Sequence, residues 1–507
     1  MAKLLSFNLR AAFIALILGL APIAGLANVT DIDLSKLRND LRAIKLHVQN
    51  GISEPADVAA YWAHLSVLEQ DLRAGKPADE MFVPLAGARA VQQEVDLTNF
   101  RLMLSTLLHT YTGENAQGVV NAQGERGSVA LSVRKGVVTL DDVRAYSIAF
   151  GLPPLSDGTL TAPVVIWPGA TLRLSPGERL AMARDKGAFI LAMGTLDVNG
   201  AVIESTGPEN IHTPSFTPFV TVASGGSLLL KNAIVRDLGF GRTEKFSGIS
   251  VAGNLLQQGA AKVSITDSLF DGLKNLTLAG VTNAEVSGNT FFNVRDNALS
   301  IVNAPKTTVN NNLFASGAMH NAIRVDKGSS ETQISNNIFL AGERVAILVR
   351  GGSDRVQVSK NLIWQRAGAG IKFLQTQCGL VRDNILLDNR QKGIEIRKSN
   401  GTVVAGNLIA GHGSAGIWVS AKSAGARTSL KENVLISNRA GLSVATGGEI
   451  LMDRNNFKRQ LPRLLDGDIR RLTPSIAADL GGIIPLRIKD GSTEPAVNSI
   501  GFCGSDL

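Results

Sequence analysis

The feature that most constrains the fold of this chain is an asparagine that returns every 22 to 26 residues, each time just ahead of a short apolar run. The copies are Asn289 in "VSGNTFF", Asn312 in "VNNNLFA", Asn337 in "ISNNIFL", Asn361 in "VSKNLIW", Asn384 in "VRDNILL", Asn407 in "VAGNLIA", Asn433 in "LKENVLI" and Asn455 in "DRNNF". A second motif, a small residue followed by two apolar residues around a variable one, comes eight to ten residues after each Asn down to Asn433. Its copies include "ALSI" 298–301, "AIRV" 322–325, "AILV" 346–349, "GIKF" 370–373, "GIEI" 393–396, "GIWV" 416–419 and "GLSV" 441–444. One such period cannot bury its own apolar side chains, so successive coils must stack and share a continuous core. Three short strand-like segments per period, with no helical pattern among them, predict an all-β fold: a right-handed parallel β-helix of about ten coils. A leucine-rich repeat would need Leu-dominated spacing and longer turns. The recurrent Asn suits a turn that tolerates left-handed backbone, with its amide bonding to the Asn of the coils above and below.

The repeat occupies residues 159–460, and the flanks read differently. Residues 1–27 have a basic start (Lys3, Arg10), an apolar stretch from Ala11, and Gly25 and Ala27 at the positions of a cleavage site, which predicts a secretory signal peptide rather than a retained anchor. Residues 28–112 predict a helical N-terminal region. Leu34, Leu37, Leu41 and Ile44 are at helical spacing, and a second helix runs from Ser53 through Val58, Trp62, Leu65, Leu68 and Leu72 to Gly75 and Pro77. The stretch Val95 to Leu108 fits helix or strand, and His47, His64 and His109 are scattered packing or surface residues. Residues 113–158 read as an exposed linker, "GENAQGVVNAQGERGS", followed by a short helix capped by Thr139, and 461–507 as a C-terminal cap and tail.

At 507 residues and 44% hydrophobic content the chain is ample for one long core. Its net charge of +8 becomes +6 once Lys3 and Arg10 leave with the signal peptide. A modest basic excess suits an acidic polymer, and export without a basic cluster argues against nucleic acid. No later apolar run is long enough to span a bilayer, so an exported, periplasmic monomer without a membrane span is expected. Cys378 and Cys503 are the only cysteines, and in an oxidising compartment they either tie the tail to the body or are buried thiols.

Strand alternation turns the middle residue of the second motif outward, and stacking at about 4.8 Å sets these residues in a column. The column reads Ser250, Ser300, Arg324, Leu348, Lys372, Glu395, Trp418, Ser443. Neighbouring columns carry Asp326, Arg350 and Arg397 on one side, and Asp296, His320 and Arg344 on the other. The candidate catalytic group is therefore His320, Arg324, Asp326 and Asp296, with Arg344, Arg350, Lys327, Lys372, Glu395, Arg397 and Trp418 for substrate binding. Guanidinium and ammonium groups pair with carboxylates, and a Trp face packs on sugar rings, so a linear acidic polysaccharide is the partner this surface suits. Charges needed only to solubilise a wet face give the same residue types.

The order of parts resembles the periplasmic mannuronan C5-epimerases of alginate biosynthesis over residues 165–445. The likeness is carried by "GATLRLSPGERLAMARDKGAFILAMGTLDVNGAVIES", "FTPFVTVASGG", "IVRDLGFG" with "FSGISV", and the Asn-marked coils. The resemblance implies a β-helix, export, and conversion of mannuronate to guluronate within a polymer, with other envelope polysaccharide-export proteins as further partners. That family's Asp-Pro-His-Asp signature is absent: the matching stretch is Ser300-Ile301-Val302-Asn303. In the next coil the family's His and Arg would fall at Asn321 and Lys327.

The surviving residues still offer the chemistry of a uronate C5 centre. A cation (Arg324, Arg350 or Lys327) neutralises the carboxylate and acidifies the C5 proton; His320, oriented by Asp296 or Asp326, takes it. Without a second proton donor, β-elimination is as plausible as epimerisation. No cofactor or metal is implied, and the Gly-Gly-x-Gly-x-Asp calcium pattern is absent. Paired-carboxylate hydrolysis needs several converging acids and ranks lower, since Asp296, Asp326, Asp354 and Glu395 are sparse. A member without catalysis, guiding polymer inside an export assembly, is the alternative.

Overall fold

The computed structural model describes residues 33–49, 92–102, 104, 116–152, 156–223, 225–241, 245–253, 261–315, 320–421, 423, 425–445, 448–489, 492–496 and 503. The signal peptide, the second helix from Ser53 to Leu72, and His64 and His109 lie outside them. Among the described helices none is long and apolar enough to cross a membrane.

The chain forms a right-handed parallel β-helix of about 12 turns, rather than ten. Each coil contributes one strand to each of three sheets. Ile371–Leu374, Leu380–Arg382 and Ile385–Leu387 make one such coil, and each pairs in parallel and in register with its counterpart 23 residues on. Inside, like stacks on like: Phe270, Phe291, Phe314 and Phe339 lie face to face at centroid spacings of 4.9, 4.8 and 4.7 Å, the inter-strand distance itself.

The solenoid extends further than the repeat. Val129–Val138 already pairs in parallel with Val164–Ile166 and Ala170–Leu174, so the first coil begins well before residue 159. The expected linker is structured as well, with a helix Ala116–Asn121 and a 3-10 turn Gly124–Arg126. The ambiguous stretch resolves into strand Glu94–Asn99, antiparallel to Val129–Val138. It leads into Phe100 and Leu104, buried in an aromatic cluster with Phe189, Phe216 and Phe219. Thr139 caps helix Leu140–Ala149 through a capping box with Asp142. At the other end Leu465–Gly467 adds a parallel strand past residue 460. Leu486–Lys489 then turns antiparallel against Glu449–Asp453, which ends the pairing edge. Cys378 and Cys503 are disulfide-bonded, fastening the tail to a turn 125 residues earlier.

The expected Asn column is present, and its backbone differs from expectation. From Asn289 to Asn455 each side-chain amide donates to the next one's Oδ1 at 2.9–3.0 Å. The left-handed residue is the one before each ladder Asn: Asn311, Asn336, Lys360, Asp383, Glu432 and Arg454 have φ of 50–56°, and glycine takes the place before Asn289 and Asn407. The ladder Asn itself points inward, where its amide satisfies backbone groups that the corner would orphan.

A second buried ladder, invisible as a repeat, runs through Asn389, His412, Asn438 and Gln460. His412 accepts the Asn389 N–H at its Nδ1, and burial pushes its pKa from 6.5 down to about 4 despite the opposing pull of Asp388. The native state therefore holds this imidazole neutral, while the unfolded chain protonates it near pH 6.5. Stability is lost as pH falls from 6.5 towards 4, and the gap corresponds to about 3 kcal/mol. His412→Asn, which places a neighbouring coil's residue type in the ladder, is expected to flatten that limb of a denaturation-versus-pH curve. An unchanged acid limb overturns the assignment.

The third sheet is apolar on both faces, since runs such as "NLIW" and "NILL" do not alternate. Helix Leu34–Gln49 explains why. Its Leu34, Leu37, Leu41, Ile44 and Val48 lie on the outward residues Leu313, Ile338, Leu340, Leu362, Trp364 and Leu387 of that sheet. Arg38 grips Asp388 with two hydrogen bonds of 2.7 and 2.8 Å. Leu41→Ala is expected to cost about 2–5 kcal/mol in chemical denaturation, as for a buried leucine.

Candidate functional site

Strand register places the outward column as the spacing requires: Ser300, Arg324, Leu348, Lys372, Glu395, Trp418 and Ser443 are successive partners in the first sheet. Ser250, Ser300, Glu395 and Ser443 are buried, so the column faces solvent only partly, at Arg324, Leu348, Lys372 and Trp418. Of the residues proposed from sequence, the structure joins three groups and separates others.

His320 Nδ1 lies 2.5 Å from Asp296 Oδ1 in the turn that enters the strand Ile323–Asp326, and the imidazole is about half exposed. A carboxylate only accepts, so Nδ1 is the donor of this contact, and in the neutral form of the ring Nε2 is the nitrogen with the free lone pair. Asp326 belongs elsewhere. It sits at the far end of that strand, more than about 10 Å along the chain from His320 at 3.3 Å per residue. Its side chain is 6% exposed, held by Arg350 at 2.7 Å, by Arg324 at 3.6 Å and by the Lys327 N–H at 2.9 Å. The expected His320–Arg324–Asp326 cluster is thus two clusters, and among the described residues it is Asp296 that orients the histidine. Asp326 neutralises two arginines, which reduces the capacity of Arg324 and Arg350 to meet a substrate carboxylate.

Glu395 differs from expectation in the same way. Its carboxylate is 6% exposed, between Lys372 at 3.1 Å and Lys392 at 3.0 Å. Burial raises its pKa, the Lys392 hydrogen bond and the two ammonium charges more than offset this, and the group is held below its ordinary value. Its carboxylate is therefore already the counter-ion of two lysines. Lys392, which column reading missed because it falls between columns, also lies 4.2 Å from the Trp418 ring centroid. One face of Trp418 is therefore taken, and only its other face is available to a sugar. Arg344, Lys327 and Arg397 are exposed.

Sequence reasoning also missed Arg366. Its guanidinium is buried, donating to the carbonyls of Arg344 at 3.0 Å, Leu340 at 3.4 Å and His320 at 3.4 Å. Burial lowers its pKa to about 10, so it stays charged at neutral pH. Gly342 makes this possible, because a Cβ there would fall 1.8 Å from the guanidinium. Nothing in the repeat marks it: a cation in a core position has no sequence signature until the carbonyls around it are placed.

A family profile described as "Right handed beta helix region" matches residues 219–363, 274–433 and 364–457. Among solved structures the periplasmic alginate epimerase AlgG is 18% identical, with 75% of this chain and 94% of that one covered at a TM-score of 0.60. A double mutant of AlgG aligns at 19% identity and a TM-score of 0.59 over the same shares of the two chains. No curated protein sequence matches. At this identity the likeness establishes the architecture, a right-handed parallel β-helix shared along most of AlgG's length.

Proposed function

We propose that this is an exported, periplasmic protein acting on a linear acidic exopolysaccharide, with His320 and Asp296 as its proton-transfer pair. The contact between them, beside an open cationic edge, carries this reading. A neutral imidazole whose Nδ1 is fixed by a carboxylate is a base at Nε2. It takes the C5 proton of a uronate whose carboxylate is neutralised by a neighbouring arginine. Return of a proton to the opposite face gives the C5 epimer. If instead the C4–O bond breaks, the electron pair forms a C4–C5 double bond and the leaving oxygen takes a proton. The likeness to a periplasmic alginate epimerase, the leader expected from the sequence and the disulfide support the setting. Residues 300–303, where the epimerase signature would fall, hold Ser-Ile-Val-Asn with Ser300 buried, and this favours a second reading as a polymer-guiding component of an export assembly.

Incubation with polymannuronate in heavy water separates these readings. Deuterium at C5 marks epimerisation, and unsaturated-uronate absorbance marks elimination. Retained binding with neither signal leaves the guiding role and removes catalysis on that polymer.

A further inference from the structure

We propose that Arg344, Arg390 and Arg439 form an axial path along one edge of the first sheet, on which an acidic polysaccharide lies with its carboxylates meeting alternate coils. The proposal rests on the acidic-polymer reading above and specifies how the polymer is held. All three arginines are exposed, and none has an ion-pair partner among the described residues. Four other cations of this face are differently placed: Arg324 and Arg350 share Asp326, while Lys372 and Lys392 share Glu395; Lys327 and Arg397 are exposed at the opposite, C-terminal ends of their strands. An exogenous carboxylate gains most where no internal one competes, which points to the edge rather than the floor.

The three residues occupy turns entering the strands Ile347–Arg350, Ile394–Arg397 and Ala440–Ala445, each two coils from the next, or about 10 Å, with Arg390 one position earlier in its turn than Arg344. In the intervening coils a glycine stacks on the arginine of the coil before: a Cβ at Gly368 would lie 2.8 Å from the Arg344 carbonyl carbon, and one at Gly413 would lie 2.4 Å from the Arg390 oxygen. At these two positions the turns stack too closely for a side chain. One coil advances about 4.8 Å, close to the length of one pyranose in an extended 1,4-linked chain, so sugars and coils keep step. In such a chain successive residues turn opposite ways, and carboxylates on one side recur every second sugar. The row begins one coil past His320, and it ends where Arg463 is paired with Asp466 at 3.5 Å. A polymer on this path reaches the imidazole. Glu343, exposed beside Arg344, holds the turn position that Arg390 has two coils on, so the path carries one acid at its start.

Calorimetric binding of oligomannuronates of three and seven residues to the full-length mature protein tests the path, with neutral cello-oligosaccharides of equal length as control. The heptamer is expected to bind more tightly than the trimer. Arg390→Gln and Arg439→Gln each weaken the heptamer about threefold to tenfold, and the double variant more, with unchanged melting temperature because both side chains are exposed. Heptamer affinity unchanged in the double variant, or a neutral heptamer binding equally well, overturns the path. If the unsubstituted protein binds no oligouronate of either length, the acidic-polymer reading fails along with it; binding that ignores the two arginines removes the path alone.

Discussion

His320→Ala is expected to lower turnover of polymannuronate by about 10² to 10⁴ while leaving polymer affinity within a few-fold. The affinity is spared because binding falls to the exposed cations, whereas the proton step has a single imidazole. Asp296→Asn is the informative partner. An amide in place of the carboxylate at 2.5 Å from Nδ1 is able to donate as well as accept, and it releases the tautomer that leaves Nε2 basic. Its loss is expected in turnover rather than in affinity. Asp326→Asn is expected to behave differently: it leaves Arg324 and Arg350 without their shared counter-ion and shows as lowered stability. Steady-state rates by deuterium incorporation, set beside oligomer affinities, separate the three. Activity of His320→Ala within a few-fold of the parent sinks the base assignment.

The second large effect is structural. Asn361→Ala is expected to cost about 3–5 kcal/mol in chemical denaturation. Asn361 Oδ1 accepts from both the backbone N–H and the side-chain amide of Asn337. Its Nδ2 donates to Ile334 O, Ser359 O and Asn384 Oδ1. Truncation strands several of these groups in the buried interior, at about 1–3 kcal/mol for each donor or acceptor left unpaired. Because each coil of a solenoid leans only on its neighbours, the loss concentrates on the two flanking coils and broadens the transition. A loss below about 1 kcal/mol would show that the ladder is decorative.

Much of this architecture was legible because a solenoid writes its geometry into the sequence. The period, the inward pair of each "AIRV"-type strand and the outward column follow from alternation and stacking, and Arg324, Lys372, Glu395 and Trp418 stand in the predicted order. The leucines from Leu34 to Leu41 predicted a helix, but nothing in their spacing says what they cover. That became clear only from the third sheet, whose outward residues are apolar and need a lid. Column reading gave the order of the charges without their pairing. Asp326 with Arg350, and Glu395 with Lys392, meet because long side chains lean across columns, and that direction depends on neighbours in adjacent coils. Arg366 was illegible for a related reason: its partners are backbone carbonyls, which every residue has.

By itself, then, the sequence determined the coil, its period and which side chains face inward, since these depend on local alternation repeated at a fixed interval. Only the tertiary structure decided which charges are already neutralised and which stand open, because ion pairing is set by distances of a few ångströms between residues more than twenty apart in the chain. His320 with Asp296 on one side, and Asp326 with its arginines on the other, differ by that margin alone.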